Sequence, residues 1–292
     1  MIRKKNTFLL FNRKKLSAFL IALAVFISVL ACAPLKRMQV ISNNNEEVRL
    51  VVLMYHSILD DDKRAGDYVI TPSLFESDLK LIKEKGFTPI TSYELCDFVE
   101  NNAPLPDKPV IITFDDGYYN NYTYAYPLLK KYNMKGVLSI VGKYSDEYSK
   151  ENAVFNNNYS HASHTQLKEM YDSKVFELAN HSYNMHDMSK RRGILKHKGE
   201  DSGFYKELLN QDISRCNDLI KSVTEKLPIA FTYPFGCINN ESKEYVESFG
   251  FCVTYGCEEG INTITRDKST LKNIKRYNRT FKKDLAKILD EV

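Results

Sequence analysis

Residues 109–117 read Pro-Val-Ile-Ile-Thr-Phe-Asp-Asp-Gly. An uncharged, β-branched and aromatic run of this length, Pro109 to Phe114, is what a strand buried on both faces needs. Such strands belong to parallel sheets covered by helices. The run stops at two carboxylates and a glycine, so a strand end turns into a loop there. Two adjacent carboxylates left unpaired would repel, and the pair therefore wants a cation or a shared proton. Asp-Asp-Gly after a strand is also an ordinary polar turn, so the motif needs support from elsewhere.

The surroundings repeat the strand pattern. Val48 to Tyr55, Lys135 to Val141, Val175 to Ala179, Ile229 to Tyr233 and Phe251 to Tyr255 read as strands. Thr71-Pro72 opens a helix as N-cap and first helical residue, Phe75, Leu79 and Ile82 give its apolar stripe, and Gly86 ends it. Thr91 and Glu94 form a capping box for a helix through Val99. Phe204, Leu208, Cys216, Leu219 and Val223 mark a long amphipathic helix, and 240–249 a short one. Strands alternating with helices predict an α/β fold on a parallel sheet, open or closed into a barrel. Chemistry in such folds sits at the carboxyl ends of the strands.

Two other strand ends carry suitable groups. Asn180 to His186 reads Asn-His-Ser-Tyr-Asn-Met-His. A spacing of five puts His181 and His186 on neither one helix face nor one strand face. They converge only if His181 ends the strand and His186 lies on the following loop. Two imidazoles and a carboxylate suit zinc, cobalt or nickel, and the same set also serves non-haem iron oxygenases. A spare carboxylate beside the ligand favours hydrolysis, which needs a base for the attacking water. The third end, Thr232 to Gly236, holds Tyr233, Pro234 and Phe235 in a tight turn. Its backbone N–H groups suit a developing oxyanion, and a plain turn is the competing reading.

Thr113 to Gly117, the two histidines and Pro234 to Gly236 resemble, in order and spacing, the polysaccharide deacetylases, the NodB-homology domain of carbohydrate esterase family 4. Leu53-Met54-Tyr55-His56-Ser57 and the histidine spacing are most similar to the branch of biofilm poly-N-acetylglucosamine deacetylases. The resemblance spans roughly residues 49–280 and implies a distorted, incomplete (β/α) barrel. It implies Asp115 as general base, Asp116, His181 and His186 as ligands of one divalent metal, and the Phe235 N–H on the oxyanion. Two family features are absent. The arginine that opens the Pro-Tyr-Gly motif and orients the base is Thr232 here. The C-terminal Leu-x-x-His acid is also missing, because Leu271 to Arg279 contains Arg276, Tyr277, Asn278 and Arg279 but no histidine. His161, His164 and His197 lie in polar stretches expected to face solvent. His56, at the end of the first strand, is then the candidate acid, or else it hydrogen-bonds the sugar or buttresses Asp115.

The net charge of +4 does not describe the body of the chain. Arg3, Lys4, Lys5, Arg13, Lys14 and Lys15 precede an uncharged stretch from Leu16 to Leu35, and no acid occurs among residues 1–31. The remainder is weakly acidic, which argues against nucleic acid as a partner. Basic clusters before an apolar stretch read as an export signal or an uncleaved membrane anchor. Val29-Leu30-Ala31-Cys32 is close to a lipobox, which would make Cys32 a lipidated residue. Both readings put the body outside the cytoplasm. Residues 32–48 read as a polar tether and 49–292 as the deacetylase-like domain. Cys96, Cys216, Cys237, Cys252 and Cys257 are odd in number and lack a C-x-x-C pair, so free buried thiols are expected. The expected function is N-deacetylation of a surface glycan, poly-N-acetylglucosamine before peptidoglycan. A catalytically silent glycan-binding protein is the alternative.

Overall fold

The computed structural model describes residues 47–292. The export signal, Cys32 and the tether up to residue 46 lie outside the described residues. The strands are β1 Val48–Tyr55, β2 Ser57–Ile58, β3 Val69–Ile70, β4 Thr88–Pro89, β5 Pro109–Phe114, β6 Gly136–Ile140, β7 Phe176–Asn180, β8 Ala230–Thr232, β9 Val253–Tyr255, β10 Asn262–Ile264 and β11 Tyr277–Asn278. The α-helices are α1 Pro72–Glu84, α2 Ser92–Asn101, α3 Tyr126–Lys131, α4 Gly142–Tyr148, α5 His164–Asp172, α6 Ser202–Thr224, α7 Asn240–Ser248 and α8 Leu285–Leu289.

The main sheet runs β10-β1-β5-β6-β7-β8-β9. All neighbours from β1 to β9 in that order pair in parallel, as strands buried on both faces favour, and β10 alone is antiparallel. The sheet curls so that one segment serves both of its edges. Ile274 bridges Tyr255 of β9, and just beyond it Tyr277 and Asn278 pair in parallel with Leu53 and Met54 of β1. The result is the curled, incomplete barrel that the resemblance implies.

Strand alternation divides the core into two layers. Val51, Leu53 and Tyr55 face outward with Ile112, Phe114 and Leu138, where α1, α3, α5 and α6 cover them. Leu50, Val52, Ile111, Val137, Ala179 and Ala230 face the barrel interior, which Leu95, Phe98 and Val99 of α2 help to fill. The caps behave as their residues predict. Thr71 accepts from Leu74 N, and Thr91 with Glu94 closes a capping box. Gly86 sits at φ 76° after α1, where a side chain would strain the backbone.

Two expectations fail. Cys96 and Cys252 form a disulfide, so they are not free thiols; Cys216, Cys237 and Cys257 are free. The pair is separated by 156 residues, and only the packing of α2 beneath the sheet brings it together. The stripe of α6 holds in its second half, where Cys216, Leu219 and Val223 are buried, and is turned in its first. Tyr205, Leu209 and Ile213 are buried, whereas Phe204 is 62 % exposed. The Tyr205 hydroxyl donates to Ile194 O at 2.7 Å, a partner that no helical periodicity reveals. Among the described residues no helix is long and apolar enough to cross a membrane.

Candidate active site

Inner-face residues near the carboxyl ends of the strands change from apolar to polar. Thr113, Ser139 and Thr232 are fully buried, and the Ser139 and Thr232 hydroxyls hydrogen-bond at 2.7 Å. One residue beyond this layer lies a cavity of about 500 Å³. Its lining includes His56, Asp115, Asp116, His181, His186 and Phe235. Six of the eight candidate residues therefore meet in one place. Tyr233 and Pro234 are the two that do not. Tyr233 is fully buried against Phe231 in the core beneath the turn, and Pro234 is buried with its carbonyl packed on Gly193. Alternation along β8 turns Tyr233 outward while Thr232 faces in.

Each of the three strand-end loops bends at a left-handed residue that is not glycine. These are Asp116 at φ 71°, Ser182 at φ 69° and Phe235 at φ 58°. Such backbone costs on the order of 1 kcal/mol or more per residue and persists only where the surroundings enforce it. The bend after β5 aims Asp116 sideways. The bend after β7 is held by Asn180, whose Oδ1 accepts from Ser182 N, and by Ser182, whose Oγ accepts from Met185 N. It brings His186 back beside His181.

Asp116 Oδ1 lies 3.5 Å from His181 Nε2 and 3.2 Å from His186 Nε2, and this buried oxygen has no hydrogen-bond partner. One ligand atom from each of the three residues falls within 4.8 Å of the others. His181 Nδ1 donates to the Thr232 carbonyl at 2.8 Å. Because a carbonyl only accepts, this bond fixes the neutral tautomer and leaves Nε2 as the ligand atom. Burial, aided by the neighbouring His181, pushes the His186 pKa down to about 4, so its imidazole is neutral near pH 7. Burial alone would raise the Asp116 pKa, but the histidines around it outweigh burial and keep it ionised. Burial alone would lower the His181 pKa, but the two carboxylates around it raise it. A buried anionic oxygen without a partner, facing two imidazole nitrogens, fits a divalent cation of the zinc type, which would take the place of a proton there.

Asp115 is built differently. Arg276, fully buried, donates from Nη1 to Oδ1 and from Nη2 to Oδ2, both at 2.8 Å. Burial alone would raise the Asp115 pKa; the guanidinium charge and its hydrogen bonds exceed that and lower it. An arginine therefore does hold Asp115, but it comes from the closing segment and not from position 232. Thr232 is small enough to leave the interior open for it. His56 Nε2 stands 4.0 Å from Asp115 Oδ2, too long for a direct hydrogen bond and within reach of one bridging water. Burial lowers the His56 pKa below its ordinary value, which makes the resting imidazole neutral near pH 7.

His161 departs from its expected place in solvent. It is buried and stacked between Tyr118 and Tyr144, with ring centroids at 4.8 and 4.5 Å. Tyr144 donates to the His186 carbonyl, so this aromatic layer backs the ligand loop. Phe235 closes the opposite side, its ring 4.3 Å from that of His186. Tyr68, Tyr118, Cys257 and Asn278 also line the cavity, and no motif in the sequence marks them. For Arg276 a signal exists. A strand-like segment with arginines at 276 and 279 has to bury one of them on either face of the sheet.

If Asp116, His181 and His186 hold one divalent metal, replacing any of them by Ala should lower the metal content of the purified protein strongly, whereas Asp115→Asn should retain it. Elemental analysis decides this, and undiminished metal in all three alanine variants would overturn the ligand set. Arg276→Met strands a buried carboxylate and costs about 3–5 kcal/mol in denaturant unfolding. The sign of its pH dependence also changes. In the wild type, a depressed Asp115 pKa stabilises the fold above the ordinary value of about 3.9, and the contribution fades as pH falls through the folded value. Without the guanidinium, burial dominates and NMR titration of Asp115 should give a pKa above the ordinary value.

The polysaccharide deacetylase family matches residues 102–254, just over half of the chain. The poly-beta-1,6-N-acetyl-D-glucosamine N-deacetylase of Escherichia coli strain K12 is 23 % identical over 271 residues, 83 % of this chain and 40 % of that protein. The protein of the same name from Staphylococcus aureus strain MRSA252 is 26 % identical over 197 residues, 68 % of this chain and 64 % of its own length. This chain thus spans less than two thirds of the length of these relatives. The structure of a de-N-acetylase from Aggregatibacter actinomycetemcomitans shares the fold, with a TM-score of 0.71 at 24 % identity over 84 % of this chain and all of that one. With its motifs at the ends of β5, β7 and β8 and the family match across the central strands, the chain belongs to the polysaccharide deacetylase family.

Proposed function

We propose that this protein is a metal-dependent N-deacetylase that removes acetyl groups from N-acetylglucosamine residues of a surface or extracellular polysaccharide. The observation that carries the reading is the division of labour between neighbouring carboxylates. Asp116 faces two imidazole nitrogens, while Asp115 is clamped by Arg276 and left out of that cluster. Poly-β-1,6-N-acetylglucosamine is the first candidate substrate because relatives are named for acting on it, and peptidoglycan is the second.

Zinc held by Asp116, His181 and His186 would supply Lewis-acid polarisation of the acetyl carbonyl and the attacking water. Asp115 takes the proton of that water on a carboxylate whose orientation Arg276 fixes. Its depressed pKa keeps it ionised and ready to accept. His56 enters the cycle neutral, so it acts as a relay and not as a stored acid. It takes the proton from Asp115 through one water and passes it from Nε2 to the leaving amine. The Phe235 backbone N–H, at the left-handed bend, faces the developing oxyanion. The silent-binder alternative drew on the missing C-terminal acid, and His56, in the cavity 4.0 Å from Asp115, offers a replacement for it.

The test is acetate release from β-1,6-linked N-acetylglucosamine oligomers, with and without added zinc. Zinc-dependent release is expected, and release unaffected by chelation would refute the metal role. His56→Ala should keep its zinc and lose on the order of 10²-fold or more in turnover. A near wild-type rate would leave a solvent molecule as the proton donor, because Tyr277 packs on the outer face with its hydroxyl donating to Glu291 and does not line the cavity.

The proposal extends to location. The body works outside the cytoplasm, held by lipidated Cys32 or by an uncleaved helix near residues 16–35. The Cys96–Cys252 disulfide supports this, since such bonds persist in oxidising compartments. Labelling cells with a radioactive fatty acid separates the two anchors: label lost in Cys32→Ser means lipidation. Recovery of the protein wholly in the cytoplasm would contradict both.

A further inference from the structure

Asn278 pairs in parallel register with Met54, so their side chains stand on the same face of the sheet. Met54, His56 and Asn278 accordingly all line the cavity. Alternation puts Asn278 on the same face as Arg276, one layer nearer the mouth. Its Nδ2 donates to the Asp67 carbonyl at 3.0 Å. A carbonyl cannot donate, so this bond fixes which way the carboxamide is turned. Asn278 Oδ1 is then left buried without any partner. A buried acceptor in that state is costly unless something else satisfies it.

The same bond holds the peptide that precedes Tyr68. Phe281 N donates to Gly66 O at 2.9 Å, which ties the loop to the C-terminal segment a second time. Tyr68 is nevertheless 60 % exposed on the cavity wall, with its ring 4.9 Å from that of His56 and nearly perpendicular to it. A positioned aromatic face beside an orphan acceptor matches what a pyranose offers, a flat C–H face and a rim of O–H and N–H donors.

We infer that Asn278 and Tyr68 form a sugar subsite at the mouth of the cavity. Asn278 Oδ1 accepts one hydrogen bond from a hydroxyl or acetamido N–H of the glycan, and Tyr68 stacks on the ring. The inference rests on the reading of the chain as a glycan deacetylase and names residues that select the sugar and take no part in the chemistry.

The probe is the β-1,6-linked N-acetylglucosamine trimer, with analogues that lack one hydroxyl or carry an N-methylated acetamide. Their binding is read by surface plasmon resonance on the zinc-loaded full-length protein. One analogue should bind the wild type about tenfold more weakly than the trimer. Asn278→Ala should bind the trimer equally weakly and show no further loss with that analogue. Asn278→Asp removes the donor to Asp67 but keeps an acceptor, and should still discriminate that analogue from the trimer. Tyr68→Phe should retain affinity, and Tyr68→Ala should lose it. Wild-type affinity in Asn278→Ala, or losses that simply add for every analogue, would overturn the subsite. So would Asn278→Asp discriminating no better than Asn278→Ala, the result for a residue that only pins the loop. Acetate release is measured separately. Its absence from the wild type would end the deacetylase reading and still leave the binding comparison to decide the subsite.

Discussion

The Arg276–Asp115 pair joins fold and chemistry in one contact. A carboxylate and a guanidinium buried this deeply are tolerable only together, because removing either leaves an unpaired charge in the interior. Arg276 satisfies the rest of its fork locally, donating from Nε to Gly256 O and from Nη1 to Thr113 Oγ1. Its partner ends the central strand, whereas the arginine rides on the segment that spans the two edges of the sheet. Closing the curl and orienting the base are thus a single event. A chain that failed to dock residues 274–279 would lose both.

The outer face repeats the device. Arg279 donates from Nε and Nη2 to the two oxygens of Asp78 on α1, both at 2.8 Å, and Tyr55 adds a hydroxyl to the same carboxylate at 3.0 Å. Two buried bidentate pairs, one on each side of the sheet, therefore pin the closing segment in register. Register matters because a slip by one residue would exchange the faces of Arg276 and Tyr277. With the closing segment fixed, strain in the loops becomes affordable. Left-handed backbone at Asp116, Ser182 and Phe235 turns three strand ends toward one point, and glycine would ease the strain only by deleting a ligand, a turn-holding hydroxyl or a wall.

Much of this was legible in the chain. Largely apolar runs ending in Asp-Asp-Gly and Asn-His-Ser identify buried parallel strands and their carboxyl ends, because burial on both faces and a period of two leave few alternatives. Caps at Thr71 and Thr91 are local chemistry and appear as read. That Asp116, His181 and His186 meet was legible in part, since Asp116 and His181 follow closely on strands whose carboxyl ends share a face, whereas His186 depends on the loop after β7 bending back. The first half of α6 was read with its stripe turned, because a tyrosine counts as core only once its hydroxyl finds a carbonyl, while Cys216, Leu219 and Val223 are buried as read.

The sequence by itself determined the alternation, the strand ends and the family, all of which depend on contacts between residues close in the chain or on spacing along it. Only the tertiary structure decided which residues separated by 156 to more than 200 positions meet: Cys96 with Cys252, Arg276 with Asp115, and Arg279 with Asp78. No local pattern encodes such pairs, because a buried charge or thiol leaves no periodic trace of its partner. The curvature of the sheet selects that partner, and the curvature is a property of all the strands at once.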